Sequence, residues 1–190
     1  MNRFALLLLL PCLMVAACRA PAPKPDARYP LEVPGFGEYQ RFPLTAAGYA
    51  RGMVLTYEPG MVNYSVAYNV RTPYLDVVTL YFYGDPARAP LAQEFEIEKR
   101  EIMAAHPGAE LLAESSLTLY GNGTAYQARV ATFRYVAEIV PGQPRPVFSE
   151  FVLASLPTRY FKVRSTSWPD DAAEAQAGVR RLLDAVGWAP

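Results

Sequence analysis

The chain has 190 residues and carries 18 Lys and Arg against 18 Asp and Glu, with 52% apolar and 19% charged residues. That composition lies well away from the disordered regime, the length fits one domain, and charge neutrality argues against nucleic-acid binding, which leaves a basic footprint. One histidine and two cysteines exclude a multi-histidine or multi-thiolate metal centre by count. In chain order the first element is an export signal. Arg3 supplies a positive start, and Phe4 to Ala17 is uncharged and includes the run Leu6 to Leu10. This stretch is too short for the ~20 helical residues of a membrane span and has the dimensions of a secretory h-region.

Val15-Ala16-Ala17 directly precedes Cys18. This resembles the lipobox of bacterial lipoproteins, in which an aliphatic residue and two small ones stand before the cysteine; Cys12, after Leu10-Pro11, lacks the small pair. The resemblance implies that residues 1–17 are a cleaved signal peptide. It implies that Cys18 is the lipidation site, its thiol carrying a diacylglyceryl group and its freed amine a further acyl chain such as palmitate. One buried chain anchors only marginally, whereas two or more hold stably, so membrane lipid is the first expected partner. The exported domain then has no free thiol and no disulfide, and its stability must come from packing. Arg19 follows the cysteine, where lipoproteins kept in the inner membrane often carry Asp. By resemblance the outer membrane is favoured, facing the periplasm, with the inner membrane or the cell surface as alternatives. Residues 18–35 then form a tether, since Pro21, Pro23, Pro25, Pro30 and Pro34 favour extended polyproline conformation at about 3.1 Å per residue.

Residues 36–190 read as a single α+β domain. Arg51 to Tyr57 is strand-like and leads into Glu58-Pro59-Gly60-Met61, which suits a type II turn. Tyr64, Val66 and Tyr68 then alternate with polar or small residues. Val77 to Tyr83 is apolar on both faces, as a central strand covered on each side would be. Asp85-Pro86 breaks the chain before a helix opened by Pro90, with Leu91, Phe95, Ile102 and Ala105 as its apolar stripe and His106-Pro107-Gly108 as its stop. Ser116 to Tyr120 and Ala125 to Val136 flank the hairpin signal Gly121-Asn122-Gly123. The second of these strands changes phase between Ala128/Val130 and Phe133/Tyr135, which predicts a bulge. Pro141-Gly142-Gln143-Pro144 turns into Val147 to Ser155, and Leu156-Pro157-Thr158 turns into Tyr160 to Ser167. Trp168-Pro169-Asp170-Asp171 opens a last helix with core stripe Ala175, Val179, Leu182, Leu183 and Val186, closed by Gly187.

These elements predict a mostly antiparallel sheet with flanking helices, an α/β/α sandwich. Their order, the aromatic strand Leu80-Tyr81-Phe82-Tyr83 before a helix, and the terminal helix resemble the PsbP-like fold over residues 36–190. That fold is shared by many bacterial lipoproteins of unknown role, and the resemblance brings no catalytic motif with it.

Few residues could carry chemistry, and no catalytic, cofactor or metal site emerges. His106 is the only side chain with an ordinary pKa near neutrality, and its place at a helix end favours capping. No Gly-x-Ser-x-Gly elbow occurs, and Ser115, Ser116 and Ser149 fall in strands. Glu94, Glu96, Glu98 and Glu101 have the oxygen chemistry for a hard cation such as Ca²⁺, but beside Lys99 and Arg100 they read as a solvated helix face. Tyr64, Tyr68, Tyr81 and Tyr83 have the spacing to share a sheet face, either as core margin or as an amphipathic groove for a peptide, glycan or lipid fragment. Arg129, Arg134, Lys162 and Arg164 form a candidate basic strip. The expectation is a membrane-anchored, non-enzymatic envelope module that binds or scaffolds a protein, peptide or glycan. The alternatives are an envelope hydrolase using carboxylate acid/base chemistry and a small-ligand binder between sheet and helix.

Overall fold

The computed structural model describes residues 42–57, 63–71, 75–84, 87 and 89–188. The signal segment over 1–17, Cys18, the tether over 18–35 and the expected Pro59-Gly60 and Asp85-Pro86 turns lie outside them. Within the described residues the chain forms β1 (Thr45–Ala46), β2 (Tyr49–Thr56), β3 (Tyr64–Val70), β4 (Asp76–Tyr83), α1 (Leu91–Ala105), β5 (Glu110–Gly121), β6 (Thr124–Val140), β7 (Gln143–Ser155), β8 (Tyr160–Ser167) and α2 (Ala172–Val186). A 3-10 turn over Pro169–Asp171 leads into α2, so the Asp170-Asp171 pair precedes the α-helix proper.

The strands build one eight-stranded sheet in the order β1-β2-β3-β4-β8-β7-β6-β5, with every neighbouring pair antiparallel. This is an α+β fold made of two four-strand meanders joined at β4–β8. The helix α1 is the crossover that carries the chain from central β4 to the far edge strand β5. Local chemistry fixes the turns. Asn122 and Gly123 both take positive φ, 48° and 76°, the geometry a two-residue hairpin needs to match strand twist. Pro144 and Pro146 are tolerated in β7 because β8 joins β7 only from Phe148 onward, leaving the earlier residues one unpaired edge.

The central strands are covered on both faces, each under one helix. Against α2 lie Val78, Leu80 and Phe82 of β4, Phe161 and Val163 of β8, and Val152 and Ala154 of β7. Against α1 lie Phe133 and Tyr135 of β6 and Phe151 and Leu153 of β7, meeting Phe95 and Ile102. Stacking runs through the first core: Tyr64 on Phe82 at 4.8 Å, Phe82 to Phe161 at 5.1 Å, and Phe161 on Trp188 at 4.4 Å. Gly187, at φ 56°, ends α2 in the left-handed region and lets the chain turn Trp188 back onto the sheet.

Strand β6 corrects the expected bulge. Its pairing with β7 runs unbroken from Ala128 to Ala137; the irregularities fall elsewhere, in β6 between Ala137 and Val140 and in β5 between Leu111 and Ala113. The phase change is real but has another cause. Tyr126, Ala128 and Val130 face the α2 core, Ala131, Phe133 and Tyr135 face the α1 core, and the strand is covered on alternate sides along its length.

Candidate functional site

A wide concavity lies on the α2 face. Helix α2 packs chiefly over β8 and leaves the β5–β6 side of that face partly open, which produces a groove of about 780 Å³. Leu117 and Leu119 of β5, Val130 of β6 and Val152 of β7 form its floor, and Val179 and Leu183 of α2 form its wall. Trp188 closes one end, held edge-on against Tyr126 at 5.4 Å. Such a volume falls within the range of small-molecule sites, roughly 300–1,000 Å³.

The other end of the groove is polar. Thr132, Glu150 and Ser165 stand side by side on β6, β7 and β8 by strand register. Gln176 Nε2 of α2 donates to Glu150 Oε2 at 2.6 Å. Burial raises the Glu150 carboxyl above its ordinary range, opposed by the Gln176 bond and the Arg180 charge. Beyond Ser165 lies Asp76, wholly buried. Tyr49 Oη donates to its Oδ2 at 2.7 Å and Ser165 Oγ to its Oδ1 at 2.7 Å. Burial nevertheless pushes Asp76 up to about 6, the Tyr49 and Ser165 bonds holding it down and the Glu150 charge adding to the rise. Glu150 thus reaches the groove, whereas Asp76 is sealed beneath it and does not line it. Neither acid stood out in the sequence. The available signal was an acid at a core-facing position of an alternating strand: Asp76 before Val78 and Leu80, Glu150 between Phe148 and Val152.

The residues singled out earlier are dispersed. The four tyrosines do not share a face: Tyr64 and Tyr68 point into the α2 core, while Tyr83 packs with the α1 core. Tyr81 is with Tyr83, where the Lys162 ammonium sits 4.5 and 4.8 Å from their ring centroids. The four glutamates are not all solvated. Glu98 is buried, replaces exposed Ala105 in the inward row of α1, and binds Lys162 Nζ at 2.7 and 2.8 Å while Tyr83 Oη donates to it. Glu96 pairs with Lys99 at 3.0 Å rather than with Arg100, whose Nε donates to the Glu96 carbonyl. Among the described residues no three acids, histidines or cysteines gather as a metal site would require.

The basic strip divides. Arg129 lies 4.4 Å over the Phe95 ring and pairs with Glu96 and Glu114, Lys162 holds Glu98, and Arg164 donates to Tyr135 Oη at 3.2 Å, all on the α1 face. Arg134 instead pairs with exposed Glu110. His106 does not cap its helix through its ring; it stacks on Tyr135 at 3.9 Å, and burial and the Arg164 charge lower its pKa. No serine hydroxyl hydrogen-bonds it among the described residues. Ser115 lines the groove, and Ser149 Oγ lies 3.4 Å from Thr166 Oγ1.

No family model matches the chain, and no curated protein matches it significantly. Among solved structures it is similar to protein PA94 from Pseudomonas aeruginosa, described as of unknown function with a suggested regulatory role. The two are 12% identical, the match covers 68% of this chain and 92% of that one, and the TM-score is 0.46.

Proposed function

We propose that the chain is an envelope lipoprotein, anchored through acylated Cys18 and facing the periplasm from the outer membrane, whose domain is a non-enzymatic binding module. The arrangement reads as an α/β/α sandwich of PsbP-like order, a reading supported by one helix on each face of the sheet. The observation that carries the functional reading is the groove between α2 and strands β5–β7. Its apolar floor and the Glu150–Gln176 pair suit an amphipathic small molecule whose hydroxyl or amine meets Glu150 and whose body lies along Leu117, Val152 and Leu183. Acid/base hydrolysis needs two carboxyls at the substrate. Glu150 and Asp184 both line the groove, but Asp184 is exposed and only Glu150 is held inside by a partner on α2, which favours binding over catalysis.

Binding of the neutral apolar fluorophore N-phenyl-1-naphthylamine to the purified chain tests the groove. Leu117→Arg places a charge on its floor and is expected to weaken binding about tenfold or more, some 1.4 kcal/mol; unchanged affinity would refute the site. The anchor is tested separately by metabolic labelling with an alkyne fatty acid. Label and membrane association should both disappear in Cys18→Ser, and a variant that stays membrane-bound and unchanged in mass removes the lipoprotein reading.

A further inference from the structure

On the opposite face of the sheet, beyond the end of α1, a second pocket of about 390 Å³ is bounded by Thr79 and Tyr81 of β4, Arg164 and Thr166 of β8, Tyr135 of β6, and His106. Its chemistry is unlike that of the groove. Arg164 offers five N–H donors in a planar fork, yet among the described residues its one hydrogen bond is from Nη2 to Tyr135 Oη. Its Nε is buried and has no partner, and no carboxylate pairs with the guanidinium among the described residues. Its neighbours on the same face show the contrast, since Lys162 is neutralised by Glu98 and Arg129 by Glu96 and Glu114. A partly buried charge without a counter-ion is costly, and the cost is relieved when an anion joins it. Glu138, the pocket's one carboxylate, is turned to the β6–β7 turn, where it accepts the Gly142 N–H.

We propose that this pocket binds a small organic oxyanion, with the Arg164 guanidinium as its counter-ion. Planar forked donors match the paired oxygens of a carboxylate or a phosphate. The hydroxyls of Thr79, Tyr81 and Thr166 supply further donors around the same cavity. The volume exceeds what a bare inorganic ion fills. The rest is walled by the Tyr135–His106 stack and by Val77, Ala137 and Ile139, which suit a flat or apolar body attached to the anionic head.

The chain's single histidine is a built-in reporter. Arg164 helps hold the His106 pKa down, the other titratable groups facing it across the pocket being Tyr81, Tyr135 and Glu138. An anion that neutralises Arg164 should therefore raise it. The test is an NMR pH titration of the His106 ring in the full chain, with benzoate and phenyl phosphate as probes and sodium chloride at matched ionic strength as the control. A rise of roughly half a pH unit or more is expected with one or both probes and not with chloride. The probe that acts at the lower concentration separates a carboxylate from a phosphate ligand. Arg164→Gln should abolish the rise. Because that variant also removes a half-buried charge, Thr166→Val serves as the second, with an expected several-fold weakening. Two results overturn the proposal: no His106 shift in the unmodified chain at about 10 mM of either probe, or a shift of equal size in folded Arg164→Gln.

Discussion

The two faces of one sheet are held to their helices by different physics. On the α2 face the contact is apolar: Ala175, Val179, Leu182, Leu183 and Val186 meet a stack of aromatic rings from β3, β4 and β8. On the α1 face the contact is divided between the Phe95–Phe151 stack and charges, with Glu98 on Lys162 beneath the helix and Lys99 and Arg129 joined to Glu96 and Glu114 at its side. Apolar packing is non-directional and tolerates a gap at its margin, where the groove lies. Buried charges require specific partners, and Arg164 on the α1 face meets no carboxylate among the described residues.

The largest test of that contrast is Phe161→Ala, which removes the middle ring of the apolar stack. A loss of about 3–5 kcal/mol is expected in denaturant unfolding, and a loss below 1 would mean the stack is not the centre of the α2 core. Next, Lys162→Met leaves Glu98 buried and unpaired, at a cost of about 3 kcal/mol or more. The double variant Glu98→Leu, Lys162→Met should recover most of it. If the double is as unstable as the single, the pair is more than a mutually neutralised charge.

Asp76 gives a pH signature. Its native pKa of about 6 exceeds the ordinary 3.8, so between these values the folded chain keeps a proton that the unfolded chain has released. Its contribution is therefore complete below about pH 4 and is lost as pH rises through 6. Relative to Asp76→Asn, the unmodified protein should lose on the order of 3 kcal/mol between pH 4 and pH 7. Parallel pH profiles for the two would contradict this. The smallest effect is expected at the rim of α1. Lys99→Ala should cost less than about 1 kcal/mol, diminishing in salt, because Glu96 and Glu114 are solvent-accessible and keep Arg129.

Element order, both helices and the core stripe of α2 were legible in the sequence, because periodicity and turn chemistry are local. Positions depending on which face a strand presents were not. Tyr64 and Tyr81 look equivalent as members of alternating runs, yet Tyr64 stands opposite Phe82 in register, which puts Tyr81 on the other side. Glu98 reads as one acid among four, and its burial depends on Lys162, far away along the chain. Edge strand β5 was read too short, since its first half is exposed and owes its conformation to pairing with β6 rather than to an apolar pattern. The groove and the Arg164 pocket could not be read for the same reason: each is the space between elements distant in sequence.

The seam between β4 and β8 has a kinetic consequence. Each meander can assemble from neighbouring hairpins, but the seam pairs Asp76 with Ser167, closing a loop of roughly ninety residues. Such a contact earns its stabilisation late, after most chain entropy has been surrendered. Refolding should therefore pass through two half-sheets that recognise each other last, and substitutions along the seam should retard that final docking more than they alter either half.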